Sequence, residues 1–213
     1  MNKIILTFLL GLSSLISVLS EEHDFQLGVP FTDNMILQRD VKVPVWGQDI
    51  GGSEITVKFS GQTKKTITDE HGDWMVKLDP LKASSSERTI EISNNKGKSI
   101  TLKGVLVGEV WFSSGQSNMV WIAGKSMCND LAKEIASSKD ELPIREININ
   151  TVSALYPQKK GTSDGGWKKS SSASGFSALS LSFAYDLYKE LKIPIGILLS
   201  AHSNTRIEAF TQR

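Results

Sequence analysis

From Phe25 to Leu106 the apolar residues come in short alternating runs, such as Val41-Lys42-Val43-Pro44-Val45-Trp46, Ile55-Thr56-Val57-Lys58-Phe59 and Trp74-Met75-Val76-Lys77-Leu78. A period of two puts successive side chains on opposite faces of a strand, so each run predicts a strand with one buried face. Turn-forming clusters separate the runs: Asp49-Ile50-Gly51-Gly52, Glu70-His71-Gly72-Asp73 and Asn94-Asn95-Lys96-Gly97. Short strands at this spacing predict an antiparallel β-sandwich, with Trp46 and Trp74 as core residues.

After Gly108 the period changes. Glu109 to Phe112 reads as a strand, residues 127–138 (MCNDLAKEIASS) as an amphipathic helix, and Ile144 to Asn150 as a second strand. Residues 151–175 are polar and rich in Gly and Ser, too long for an ordinary connection, which predicts a functional loop. Over residues 176–192, Phe176, Leu179, Ser180, Phe183, Leu187 and Leu191 fall along one helical face, and Pro194 ends the helix. The apolar run 193–201 is of the kind buried in parallel sheets. Strand, helix, strand, helix, strand is an α/β rhythm. The expected fold is therefore α/β: an antiparallel β-sandwich over 21–106, then an α/β unit over 107–213. Three parallel strands leave an apolar edge unpaired, so that unit is expected to be incomplete.

Composition excludes some partners. Lys plus Arg number 24 against 23 Asp plus Glu, so no cationic excess exists to neutralise phosphates and nucleic acid is not an expected partner. Lys3, the apolar stretch Ile4 to Leu10, and Val18-Leu19-Ser20 before Glu21-Glu22 predict a secretory signal over residues 1–20. Ser13, Ser14 and Ser17 interrupt the apolar run, and no membrane span is expected once the signal is removed. The single cysteine, Cys128, allows no disulfide within the chain. It reads either as a buried thiol or as one whose partner lies in sequence outside these residues.

Candidate chemistry centres on Ser113-Ser114-Gly115-Gln116-Ser117-Asn118, which follows a strand directly. Gly115 can take backbone angles closed to other residues. A helix from about Asn118 would aim unpaired N–H groups at the place where Ser117 emerges, and such groups stabilise an oxyanion. Met119 stands where the G-x-S-x-G elbow has its second glycine. An ordinary polar turn and a nucleophile mount both fit these residues. A serine nucleophile needs a base, and the histidines are His23, His71 and His202. His71 falls in a predicted hairpin, which leaves His202, just past the last strand, as the one contender. The histidines are scattered with no pair at zinc spacing, so neither a metal nor a cofactor is expected.

The segment 107–121, VGEVWFSSGQSNMVW, closely resembles the nucleophile block of the sialate O-acetylesterase family, SGNH-type hydrolases that remove acetyl esters from sugars. The resemblance extends to FTDNMILQRDVKVPVWG at 31–47, GDWMVKLDPL at 72–81 and FSALSLSFAYDLYKELKIPIGIL at 176–198. It implies an SGNH-like, flavodoxin-like three-layer α/β/α hydrolase domain after the sandwich. It further implies a Ser-His-Asp hydrolase, secreted or lysosomal, acting on O-acetylated sialic acids or related sugars. Ser117 would be the nucleophile with its own N–H in the oxyanion hole, and Gln116 and Asn118 would hold the turn.

Where the family commonly reads Ser-Trp-Gly-Gly-Thr-Pro-Ile-Glu-Ala-Trp, this chain reads Ala201-His202-Ser203-Asn204-Thr205-Arg206-Ile207-Glu208-Ala209-Phe210. Asn204 stands for a glycine whose N–H supplies a second oxyanion donor, so it must adopt the backbone angles of that glycine. No residues match the family's Gln-Gly-Glu segment or its Asp-x-x-His. The resemblance is thus to the N-terminal part of such an esterase, expected to be nearly inactive by itself. A secreted, non-catalytic glycan-binding module or inactive fragment is the competing class of function.

Overall fold

The computed structural model describes residues 24–152, 161–206 and 208. The expected signal, residues 1–20, lies outside the described residues, as does His23. In chain order the elements are strands β1 (Gln26–Leu27), β2 (Ile36–Gln38), β3 (Val43–Gln48), β4 (Glu54–Phe59), β5 (Gln62–Ile67), β6 (Asp73–Leu78), β7 (Ser84–Asn94) and β8 (Ser99–Gly115). Then follow helices α1 (Ser117–Val120) and α2 (Asn129–Ala136), strands β9 (Ile144–Asn148) and β10 (Lys168–Lys169), helix α3 (Ala178–Leu191) and strand β11 (Ile195–Ala201).

The protein is mixed α/β, with sheet predominating. A small antiparallel sheet runs β1-β3-β6, and a large one runs β10-β9-β11-β8-β7-β4-β5, with β2 paired to β8. The alternation read from the sequence decides what faces inward. Val43, Val45, Trp74, Val76 and Leu78 of the small sheet meet Ile55, Val57, Phe59, Ile90 and Ile92 of the large one in a shared core. Burying a side chain of this size stabilises by about 1.5–3 kcal/mol, so this interlayer core is a main source of stability. Trp74 is in that core at 4% exposure, whereas Trp46 shares the outward face of β3 with Pro44 and Gln48 and is only half-buried. Trp46 nonetheless packs against the core from its rim, edge-on to Phe31.

Strand β8 joins the two parts of the chain. Its first half pairs antiparallel with β7, and its second half, Glu109 to Gly115, pairs parallel with β11, which in turn pairs parallel with β9. The boundary expected at 106/107 therefore falls inside one continuous strand. Parallel β2 flanks β8 only over Leu106 to Gly108, and the Gln38 side chain then accepts from the Val110 N–H at 2.8 Å in place of a strand carbonyl. Beyond Val110 that edge of β8 has no neighbouring strand among the described residues.

Arg145 ties the two parts together. Its buried guanidinium donates to the carbonyls of Asn34, at 2.7 Å, and Gly104, and meets Glu87 at 3.1 Å. Burial pulls the Arg145 pKa down, opposed by the charges of Glu87 and Glu141. The Glu87 carboxylate is held below its ordinary value chiefly by a hydrogen bond from Lys169.

Helix α3 forms where the sequence places it, but its buried face is shifted from the expected one, with Phe176 and Ser180 common to both. Ala178, Ser180, Leu181 and Ala184 are buried, while Leu179 and Phe183 of the expected face are 52% and 44% exposed. The small side chains let the helix backbone approach the sheet, and the larger ones stand over the open edge of β8, where Phe183 meets Trp111 edge-on at 5.2 Å. The long polar segment also carries structure: β10 pairs with β9, and a 3-10 stretch follows over Ser170–Gly175. Residues 153–160 of it lie outside the described residues. No helix among the described residues is long and apolar enough to cross a membrane.

Candidate active site

The three parallel strands β9, β11 and β8 end side by side, with Ala201 opposite Gly115. Strand carboxyl ends are where an open α/β sheet collects its functional loops. Gly115 has φ +144°, and a Cβ there would lie 2.9 Å from Met119 Cγ. Glycine thus lets the strand turn sharply into α1 while Met119 packs close against the turn. Ser117 opens α1 and is exposed.

Sequence placed a helix at this point, and the structure gives a single turn. The Met119 N–H donates to the Gln116 carbonyl at 2.9 Å, while the N–H groups of Ser117 and Asn118 lead the turn and have no earlier carbonyl within it to meet. So short a helix carries little macrodipole, and any oxyanion stabilisation must come from individual N–H groups. The Ser117 hydroxyl makes no hydrogen bond to a described residue.

The loop after β11 folds onto the same turn. His202 donates its backbone N–H to the Gly115 carbonyl at 3.0 Å, and the Gln116 amide donates to the Thr205 carbonyl. Asn204 adopts φ +57°, a left-handed conformation that asparagine tolerates better than most residues. Asn118 is exposed beside Ser117. Ser117, Gln116, Asn118 and Asn204 are therefore on one cluster of loops, bridged by Gln116. His71 is in the distant Asp69–Gly72 turn, its side chain 70% exposed. The His202 ring meets Thr151 Oγ1 through Nδ1 at 3.1 Å rather than Ser117. Arg206 follows on the same loop, exposed and without an ion-pair partner among the described residues.

An open apolar groove of about 330 Å³ lies beside the turn, lined by Trp111, Phe112, Met119, Leu179 and Phe183. At its floor Ser113 and Ser180 share a hydroxyl–hydroxyl hydrogen bond of 2.7 Å. One buried polar group of the neighbouring strand, Glu146, was not picked out from the sequence. Glu146 is 3% exposed in β9, and both its oxygens accept from the Ser177 N–H at 3.2 Å, which anchors the start of α3. Burial pushes its carboxyl up to about 7, against the Ser177 hydrogen bond and the Lys168 charge, which lower it. The available signal was a charged pair, Arg145-Glu146, inside an otherwise apolar strand. Cys128, at the start of α2, is half-buried against a core of Ala132, Ile135, Phe176, Leu181 and Ile195. No cluster of His, Cys, Asp or Glu able to hold a metal ion occurs among the described residues.

No protein-family model matches the chain. It is 28% identical over 207 residues to the human (Homo sapiens) sialate O-acetylesterase, covering 88% of this chain and 39% of that protein. The sialate O-acetylesterase of Rattus norvegicus is likewise 28% identical, over 206 residues, with 86% and 37% covered. The crystal structure of a carbohydrate acetylesterase from Xanthomonas citri superimposes with a TM-score of 0.79 at 30% identity, covering 88% of this chain and 42% of that one. The chain thus spans about two-fifths of the length of the relatives it matches.

Proposed function

We propose that this chain, a relative of the sialate O-acetylesterases over 88% of its length, belongs to an acetyl-ester hydrolase acting on O-acetylated sugars with Ser117 as nucleophile. The observation that carries the reading is where Ser117 stands. It is an exposed serine two residues past a glycine of φ +144°, at the carboxyl edge of three parallel strands. Nothing in packing asks for a serine there, and an attacking hydroxyl needs that access.

In the reaction Ser117 Oγ attacks the acetyl carbonyl carbon while an imidazole takes its proton. The carbonyl oxygen becomes an oxyanion facing the N–H groups of Ser117 and Asn204. Collapse expels the sugar oxygen, which takes the proton back from the imidazolium and leaves as a hydroxyl. Water then attacks the acetyl-serine, and acetate departs. Removing one oxyanion donor costs about 10²–10³ in rate, and the left-handed backbone of Asn204, a conformation open to glycine, supports a donor role for its N–H. The guanidinium of Arg206, exposed on this loop with no ion-pair partner among the described residues, supports an acidic sugar, such as a sialic acid, as the preferred carrier of the ester. An export signal over residues 1–20 fits action in the secretory route or beyond it.

The described residues set no imidazole on Ser117, since the His202 ring meets Thr151. Turnover by these 213 residues alone is therefore expected to be low. The test is acetate release from an aryl acetate and from an O-acetylated sialic acid. It uses the chain alone and the chain fused to the segment that follows the matched region in the Xanthomonas citri acetylesterase. The fusion should turn over, and Ser117→Ala should reduce it by at least about a thousandfold. A Ser117→Ala fusion as fast as its parent would end the reading.

A further inference from the structure

Glu146 is an acid at a position where the fold would accept an apolar residue. Strand β9 lies between β10 and β11, so Glu146 pairs with Lys168 on one side and Ile197 on the other, and it is 3% exposed. Ile144, two residues earlier on the same face, belongs to the core that contains Phe176, Ala178 and Leu181. Taking a carboxyl out of water costs stability that an apolar side chain of similar size would not. Departures of this kind from ordinary packing gather at functional sites.

Glu146 holds the residue that caps α3. The Ser177 N–H donates to both carboxyl oxygens at 3.2 Å, and the Ser177 hydroxyl accepts from the Ser180 N–H at 3.4 Å. The residues around this cap hold the nucleophile turn on both flanks. After the turn, Ser177 faces Ile122 in an antiparallel bridge. The Ala123 N–H donates to the Phe176 carbonyl at 2.8 Å, and the Ala178 N–H donates to the Trp121 carbonyl at 2.7 Å. Trp121 directly follows α1, the single turn that Ser117 opens. Before the turn, the hydroxyls of Ser180 and Ser113 share their 2.7 Å hydrogen bond, two residues ahead of Gly115.

The geometry of the bridge explains why a carboxyl is needed. With the two hydrogen bonds made by the residues on either side of Ser177, its own N–H points away from Ile122 and needs an acceptor on the far side. Glu146 supplies it from β9. The bridge then fixes Trp121 to Ala123, the hydroxyl pair fixes Ser113, and Ser117 lies between these two points. One turn of helix has too few internal hydrogen bonds to hold itself, so the place of the Ser117 hydroxyl is set by its flanks. We propose that Glu146 is a positioning residue for Ser117: its carboxyl, by holding the Ser177 N–H, seats the cap of α3 from which both flanks of the nucleophile turn are held. This rests on the reading of Ser117 as the attacking group of an acetyl-ester hydrolase.

The experiment compares Glu146→Met, which fills the space and removes the acceptor, with Glu146→Gln, which keeps an acceptor. Amide hydrogen exchange is followed residue by residue in the 213-residue chain, so that this readout needs no catalysis. Acetate release is measured in the fusion. Glu146→Met should speed exchange at Ala123 and Ala178 by at least about tenfold, a local opening, while the β4–β7 ladder keeps the rates of the parent. In the fusion its kcat should fall about ten- to hundredfold, the scale of a nucleophile misplaced by up to about 1 Å, with KM within about twofold. Glu146→Gln should restore the exchange pattern and most of kcat.

A merely structural role would speed exchange in β4 and β7 as much as at Ala123 and Ala178, and that result would overturn the proposal. So would unchanged exchange at Ala123 and Ala178 in Glu146→Met, an undiminished kcat, or a loss that glutamine does not recover. A parent fusion that releases no acetate would sink the esterase reading and this role with it. The exchange pattern would then report separately whether Glu146 seats the turn.

Discussion

The backbone N–H of His202 donates to the carbonyl of Gly115 at 3.0 Å, carrying the β11–β8 ladder one step past the last paired residues, Ala201 and Gly115. That bond fixes the loop bearing Asn204 and Arg206 against the turn bearing Ser117. The glycine it meets sits at φ +144°, a region that other residues avoid. Gly115→Ala should therefore cost about 1–3 kcal/mol in denaturant unfolding, because the backbone is strained and the new Cβ crowds Met119. In the active fusion the same change should depress turnover by displacing Ser117.

The His202 backbone is part of the site, while its ring is engaged elsewhere. In the fusion, His202→Ala should keep acetate release within about tenfold of the parent, since the bond to Gly115 uses only the main chain. Steady-state rates at neutral pH decide this. A loss as deep as that of Ser117→Ala would make His202 the base.

Much of this arrangement could be read from the chain, and the reasons for the rest are physical. The alternation in Val43-Pro44-Val45 and Ile55-Thr56-Val57 gave the strands and their inward faces. The change of period after Gly108 gave the α/β rhythm, and Ser117 stood out by its place after an apolar run. Pairing across the chain could not be seen locally. Nothing in the sequence says that β8 continues through 106/107 as one strand, because its register comes from neighbours on both sides. Periodicity marked the Leu179–Phe183 stripe of α3 as a core face. Close approach of helix to sheet favoured the side with Ala178 and Ala184 instead. Trp46 was read as core because aromatic residues usually are, yet strand parity with Val43 and Val45 puts it on the opposite face.

Glu146 gives a pH signature. Burial raises its carboxyl from the ordinary 4.5 to about 7 in the folded chain, so between those values the folded state holds a proton that the unfolded state has lost. The associated stability is fully present below about 4.5 and is lost as pH rises through about 7. It amounts to roughly 3 kcal/mol at 1.36 kcal/mol per unit. Glu146→Gln keeps an acceptor for Ser177 and cannot ionise. Its stability relative to the parent should rise across that window and level off above it, measured as the difference in urea midpoints from pH 4 to pH 8.

Arg145 tests the junction between the two parts. Arg145→Met removes the donor to the Asn34 and Gly104 carbonyls and leaves both part-buried acceptors against an apolar chain. Unsatisfied buried groups cost about 1–3 kcal/mol each, so a loss in that range or somewhat above it is expected in chemical unfolding. Arg145→Lys should recover part of it, because an ammonium can reach one carbonyl but lacks the guanidinium fork.

The central claim is that Ser117 is the attacking group, and the most direct measurement is which residue carries a covalent inhibitor. The fusion is treated with a fluorophosphonate, digested and sequenced by tandem mass spectrometry, with Ser117→Ala alongside. The account predicts one stoichiometric adduct on Ser117, blocked by prior incubation with an acetylated substrate and absent from the alanine variant. An adduct on another serine together with loss of acetate release, or full inhibition of the Ser117→Ala protein, would contradict it.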